Sequence, residues 1–136
     1  MHRETLVFPT RGRQIISITD DVEEVIQSAK LKAGLCHLFL CHTSASLILC
    51  ENTDPDVQAD LETFFHTFIV DGDPRYRHDA EGPDDMPAHI RTVITHSDLT
   101  LPFENGKLLL GTWQGIYLWE HRMSGHHRNV VLTLMS

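Results

Sequence analysis

Two histidines and four carboxylates fall within twelve residues of this chain, in the run His78-Asp79-Ala80-Glu81-Gly82-Pro83-Asp84-Asp85-Met86-Pro87-Ala88-His89. Imidazole and carboxylate at that density can hold a metal ion or form an acid–base pair. Asp85 and His89 are four apart across an expected helix start, so both can face one point, as two ligands or as a carboxylate orienting an imidazole. A plainer reading has Asp84 or Asp85 capping the helix and the remainder forming a solvated acidic loop.

A second group closes the stretch from Trp113 to Arg122, where the apolar strand Ile116-Tyr117-Leu118-Trp119 ends abruptly in Glu120-His121-Arg122. Alternation puts His121 on the face of Tyr117 and Trp119, and Glu120 with Arg122 on the other. If His121 meets His78 and His89, three imidazoles make a site suited to Zn²⁺ or another first-row ion with an open position. His42 is the competing third imidazole, because it too ends an apolar strand. The spacings match no short zinc motif, and a strand simply reaching solvent would carry the same triplet. The third group is His42-Thr43-Ser44-Ala45-Ser46, whose hydroxyls, backbone N–H groups and imidazole could hold a phosphate or carboxylate. Hydroxyls in such turns also commonly bond their own backbone. A serine hydrolase is not indicated, since no glycine-flanked nucleophile elbow is present. His126 and His127 sit beside Gly125 in an expected hairpin loop and are read as exposed and without a role. Cys36, Cys41 and Cys50 are odd in number and lie in apolar runs, so buried reduced thiols are expected, and alternation puts Cys36 and Cys41 on opposite faces of one strand.

The elements that must position these groups are legible from periodicity and turn chemistry. Thr5 to Pro9 and Gln14 to Ile18 read as two strands of a hairpin around Arg11-Gly12-Arg13. A helix follows, with Asp20 and Glu23 as a capping box, Val22, Val25, Ile26 and Ala29 on one stripe, and Gly34 as its stop. Leu35 to Cys41 and Leu47 to Cys50 read as strands. Asp54 and Pro55 start a second helix whose Val57, Leu61, Phe64, Phe65 and Phe68 form a stripe expected in the core. From Asp71 to Asp85 the chain is rich in Gly and Pro and reads as an irregular loop. A short helix near Pro87 should carry Met86, Ile90, Val93 and Ile94 inward. Strands are then expected over Leu99 to Phe103, Lys107 to Leu110 after an Asn105-Gly106 turn, Thr112 to Glu120, and Asn129 to Met135 after a turn at Ser124-Gly125. This pattern predicts a single α+β domain over 1–136, with a largely antiparallel sheet and two or three helices.

Composition narrows the function classes. The chain has 136 residues, 41% of them hydrophobic, and a formal charge of −8, enough apolar content for one core and the wrong sign for phosphate backbones or anionic lipid. No basic block is present, so neither nucleic acid nor membrane is expected as a partner. Arg3 and Glu4 lie where a signal peptide would be apolar, and no stretch approaches the ~20 apolar residues of a membrane span, so a cytoplasmic protein is expected.

The runs HTSASLILCENTDPDVQADL, YRHDAEGPDDMPAHI and LTLPFENGKLLLGTWQGIYLWEHR, followed by RNVVLTL, resemble the YjbQ-like family, named for secondary thiamine-phosphate synthase activity. The likeness runs in the same order over nearly the whole chain. It implies a compact α+β fold, assembly as a homotrimer and a metal-capable polar site. Carried over by position, the family's polar residues fall on His42, Thr43, Ser44, Glu51, Asn52, Asp54, Asp56, His78, Asp84, Asp85, His89, Glu120, His121 and Arg122, while Cys50 stands where many members look polar. On this reading His78, His89 and His121 are the expected metal ligands, and Asp85, Glu120, Arg122 and His42 the expected catalytic groups. Thr43, Ser44, Asn52, Asp56 and Trp113 are expected to bind substrate. The implied reaction joins a pyrimidine methyl diphosphate to a thiazole phosphate and expels pyrophosphate. Imidazole ligands favour Zn²⁺ or another first-row ion, whereas a diphosphate substrate would suit Mg²⁺. A metal-dependent hydrolase of a small phosphorylated or acyl substrate is the alternative, and a non-catalytic binding or assembly protein is a third. The strand Ile116 to Trp119, apolar on both faces, is a second reason to expect a trimer.

Overall fold

The computed structural model describes residues 1–136, and its strands pair antiparallel throughout. In chain order the elements are β1 (His2–Pro9), β2 (Ile15–Ser17), α1 (Thr19–Ala29), β3 (Ala33–Leu40), β4 (Ala45–Glu51), α2 (Pro55–Phe68), α3 (Asp85–Ile94), β5 (Asp98–Glu104), β6 (Lys107–Leu108), β7 (Gln114–Glu120) and β8 (His127–Met135). They form a five-stranded sheet, β1-β8-β3-β5-β6, and a three-stranded sheet, β2-β7-β4. The main core lies between the sheets. Cys36, Leu38 and Leu40 of β3 and Val130, Leu132 and Leu134 of β8 meet Leu47 of β4 and Ile116 and Leu118 of β7, with Val22, Val25 and Ile26 of α1 closing one side. Alternation along each strand produces that inner face. The outer face of the small sheet carries Ile48, Tyr117 and Trp119, and Leu61 and Phe65 of α2 pack on it.

Several sequence expectations change once the chain is folded. β1 and β2 do not form a hairpin, because β1 pairs with β8 in one sheet and β2 with β7 in the other. The intervening turn carries the chain between sheets, and Arg13, not Gly12, takes the positive φ of 40°. Gly12 is needed for space, since a Cβ there would lie 1.8 Å from the carbonyl oxygen of Met123. No capping box opens α1. Glu23 instead accepts the Leu108 backbone N–H at 2.9 Å, and Lys30, in the left-handed conformation, closes the helix, while Gly34 lies inside β3. The Asn105-Gly106 turn does take the two positive φ values a tight hairpin requires.

Both remaining helices present an unexpected face. α2 begins as expected, with Asp54 accepting the Asp56 N–H at 2.9 Å and Pro55 in the first turn. It buries no residue, however, and Phe64 and Phe68 are 60% and 69% exposed. A helix lying on a three-stranded sheet has one line of contact, which Leu61 and Phe65 fill. α3 turns Asp85, Pro87, Ala88, Arg91 and Thr92 inward, leaving Val93 and Ile94 exposed. Polar partners on β4 and at the end of β7 hold that face. Of the cysteines, Cys36 is buried, with its thiol pKa raised to about 12 by burial, but Cys41 is exposed because it lies just past the end of β3. β7 is buried on both faces within one chain, by the main core and by α2, so it does not itself require a second subunit.

Candidate metal centre

The loop after α2 and the first two turns of α3 bring His78, Asp85 and His89 together. One potential ligand atom from each lies within 4.8 Å of the other two. The i, i+4 spacing on α3 puts His89 over Asp85, and the loop folds His78 back onto the helix start. His78 Nε2 stands 2.6 Å and His89 Nε2 3.2 Å from the same oxygen, Asp85 Oδ2. The other Asp85 oxygen faces Arg122 Nη1 at 2.8 Å. The carboxylate is buried, whereas the two rings are only partly covered. Burial raises the Asp85 pKa, but the hydrogen bond from His78 and the charges of Arg122 and His89 outweigh it and hold the group below the ordinary carboxylate range. Its hydrogen bond to Asp85 raises the His78 pKa in return. Two imidazole nitrogens aimed at one ionised carboxylate oxygen suit a divalent ion, because a metal can replace the shared protons.

Asp84 is not a side-chain cap of α3. Its Oδ2 accepts the Met123 N–H at 2.8 Å and the Arg122 Nε–H at 3.0 Å, tying the helix start to the segment after β7. Arg122 thereby contacts both aspartates and is fixed beside the His78-Asp85-His89 group.

His121 does not join the other two imidazoles. It is fully buried, tilted against Trp119 with ring centroids 4.9 Å apart, and its Nε2 lies 2.7 Å from Ser46 Oγ. Thr95 Oγ1 bonds Ser46 Oγ and donates to the Arg91 carbonyl at 2.6 Å. With the Thr95 proton so committed, Ser46 donates to Thr95 and His121 Nε2–H donates to Ser46. Nδ1 is left as a bare, buried acceptor. Burial and the positive charges of Arg91, Arg13 and Arg128 push the His121 pKa down to about 2, so the ring is neutral.

Glu120, also fully buried, faces the other way along β7 and forms an ion pair with Arg128 of β8, with Thr10 Oγ1 donating to it at 2.6 Å. Burial raises the Glu120 pKa, but the hydrogen bonds from Arg128 and Thr10 outweigh it and keep the group ionised. Ser44 is buried, accepts Arg128 Nη2 at 2.9 Å and contacts His42 Nδ1 at 3.1 Å, while His42 and Thr43 are exposed. The remaining expected site residues lie elsewhere. β4 and β7 pair from Ala45↔Glu120 to Glu51↔Gln114, so Asn52, Asp56 and Trp113 sit at the far end, about 20 Å away at the rise of a strand. There Asn52 Nδ2 donates to the carbonyls of Thr112 and Gln114 at 3.2 and 3.3 Å, and Trp113 is 62% exposed. One chain therefore does not bring Asn52, Asp56 or Trp113 to the His78-Asp85-His89 group.

Sequence reasoning missed Arg128 and Arg91, and it read Ser46 as part of an anion-holding turn where the structure makes it the partner of His121. Arg128 shares the parity of Val130, Leu132 and Leu134, and Glu120 that of Ile116 and Leu118, so period-2 alternation alone places both charges on inner faces. Arg91 lies three residues after Ala88 on the buried stripe of α3, pairs with Glu62 at 2.8 Å, and leaves Nε and Nη2 without partners. Trp119 Nε1 donates to the same Glu62 at 2.9 Å.

Residues 4–136 match the family model described as UPF0047 protein YjbQ-like. The chain is 48% identical over 131 residues to a UPF0047 protein of Synechocystis, covering 96% of this chain and 89% of that one. It is 42% identical over 134 residues to the UPF0047 protein YjbQ of Escherichia coli O157:H7, covering 98% and 96%. Among solved structures, a conserved hypothetical protein of Thermus thermophilus superposes with a TM-score of 0.87 at 32% identity, covering 97% of this chain and 99% of that one. A YjbQ/UPF0047-family protein of Clostridium acetobutylicum does so with a TM-score of 0.85 at 31% identity, covering 99% and 100%. With one domain matched from end to end in both sequence and fold, this chain belongs to the YjbQ-like UPF0047 family.

Proposed function

We propose that the protein is a metal-dependent enzyme acting on a small phosphorylated substrate, with His78, Asp85 and His89 as the metal ligands. The observation that carries this reading is the convergence of both Nε2 atoms on Asp85 Oδ2, at 2.6 and 3.2 Å. A divalent ion there would supply Lewis acidity and make water a stronger acid. Around it, Arg122 orients Asp85 through the opposite oxygen, and Asp84 holds Arg122 in place. His42, whose pKa is lowered by burial and the charge of Arg128, is a neutral imidazole able to pass on a proton. Hydrolysis of a phosphate ester fits these groups. Thiamine-phosphate formation is the second reading, for which Arg122, beside the His78-Asp85-His89 group, would supply a cation to a leaving diphosphate. Zn²⁺ or another first-row ion suits the imidazoles, with Mg²⁺ the choice for a diphosphate-bound state.

The homotrimer belongs to the same proposal. Phe64, Phe68, Val93 and Ile94 are exposed on α2 and α3, beside an apolar groove of about 410 Å³ lined by Ile48, Leu61, Phe65 and Trp119, a patch that a second subunit would cover. No helix is long and apolar enough to cross a membrane.

Elemental analysis of protein purified without added metal, followed by a phosphate-release screen, tests the enzyme reading. About one first-row ion per chain, lost in His89→Ala and retained in His126→Ala, is the expected result. Release of pyrophosphate only when both thiamine precursors are present would select the synthase. Absence of bound metal after Zn²⁺ loading and dialysis would remove the metal reading. Light scattering should give about three chains, and Phe64→Ser with Phe68→Ser should lower that number.

A further inference from the structure

Four ligand-type atoms stand in one string at the start of α3. Glu81 Oε2 lies 3.2 Å from His78 Nε2, that nitrogen lies 2.6 Å from Asp85 Oδ2, and the same oxygen lies 3.2 Å from His89 Nε2. A neutral imidazole nitrogen carries at most one proton. His78 Nε2 faces two carboxylate oxygens and can give that proton to only one of them. Asp85 is the nearer, so Glu81 is the acceptor left over.

The backbone holds Glu81 in this place. Its carbonyl accepts the Arg122 Nη2–H at 3.0 Å, from the same guanidinium whose Nε–H goes to Asp84 and whose Nη1 faces Asp85. Gly82, at φ 104°, then turns the chain from Glu81 into the helix start. One arginine thus fixes the peptide of Glu81 together with both aspartates. The Glu81 side chain, 65% exposed against 5% for Asp85, stays free to turn on that anchor.

We propose that Glu81 is a fourth metal ligand, on the solvent side of His78, Asp85 and His89; this rests on the metal reading above. Ligand atoms around a tetrahedral ion with bonds of about 2.0–2.2 Å stand about 3.3–3.6 Å apart. The 3.2 Å from Glu81 to His78 is close to that edge, as is the 3.2 Å from His89 to Asp85. Glu81 lies outside the three groups that already converge, and rotation of its exposed side chain on a fixed backbone closes the gap. Charge points the same way. Asp85 already shares its charge with Arg122, so a second carboxylate supplies what a divalent ion needs.

Co²⁺ is the probe, added to the purified full chain and followed by absorption. Glu81→Gln should weaken its binding about tenfold or more, but a residue that merely oriented His78 would give the same loss. Glu81→Cys separates the two roles. A thiolate there that reaches the ion gives a sulfur-to-Co²⁺ charge-transfer band in the near ultraviolet, and an orienting position gives none. The band is expected in Glu81→Cys and not in wild type, whose exposed Cys41 sets the background. It should also be missing from Asp79→Cys, an exposed position on the same loop, and from Glu81→Cys combined with His89→Ala. Circular dichroism checks that each variant is folded. Absence of the band at saturating Co²⁺, or a band of equal strength in Asp79→Cys, would overturn the assignment of Glu81 while leaving the other three ligands in place. Wild-type protein that takes up no Co²⁺ would overturn both readings.

Discussion

Lowering the pH should drain stability from this fold through one residue, His121. Burial and three nearby guanidinium groups hold its pKa down to about 2, whereas an imidazole in the unfolded chain titrates near ~6.5. Over that range the unfolded chain takes up a proton and the folded chain does not, so stability falls as the pH falls. The loss starts near the unfolded pKa and grows by about 1.4 kcal/mol per pH unit, reaching about 2.7 kcal/mol at about pH 4.5. Any folded pKa below about 4 gives nearly the same figure there, and the ring is fully buried, so solvent screening removes little. The perturbation is His121→Gln, which keeps an Nε2–H to donate to Ser46 but does not titrate. Urea unfolding in EDTA, followed by tryptophan fluorescence, is measured for both proteins at about pH 7.5 and about pH 4.5 and extrapolated to water. The advantage of wild type over the variant should shrink by about 2.7 kcal/mol between the two conditions. Parallel losses in the two proteins would refute the assignment of the proton to His121.

Metal occupancy should also fall with acid, because ligation needs neutral rings. The hydrogen bond His78 donates to Asp85 raises the His78 pKa, so a competition assay should show the loss beginning at higher pH than an isolated imidazole would give. Glu62→Ala strands the fully buried Arg91 guanidinium and removes the acceptor of Trp119 Nε1, and should cost about 3 kcal/mol or more. A shift in tryptophan emission should accompany that loss in the denaturation curves. Gly12→Ala places a Cβ 1.8 Å from a backbone oxygen that cannot rotate away, and should lower stability by about 2–3 kcal/mol in the same assay.

Much of the architecture was legible in the chain itself. Periodicity located every strand to within a few residues, and Asp54-Pro55 and Asn105-Gly106 fixed a helix start and a hairpin, because those signals are local and need no partner. The pairing of Asp85 with His89 was equally local, a consequence of helical spacing. Which strands share a sheet was not legible: the Arg11-Gly12-Arg13 turn reads as a hairpin, and only the register of β1 with β8 and of β2 with β7 shows it to be a crossing between sheets. The direction α2 and α3 face was likewise decided by their neighbours. Phe64 and Phe68 satisfy a core stripe by period, yet a sheet of three strands covers only the line through Leu61 and Phe65. His121 marks the boundary most sharply. Alternation placed it on the face of Trp119, where it lies, but whether it met His78 or Ser46 depended on what α3 turned toward that face. The end of the helix presented the Thr95 hydroxyl and the Arg91 carbonyl there, and with Ser46 these make a buried hydrogen-bonded chain to His121 rather than leaving it to be a third ligand.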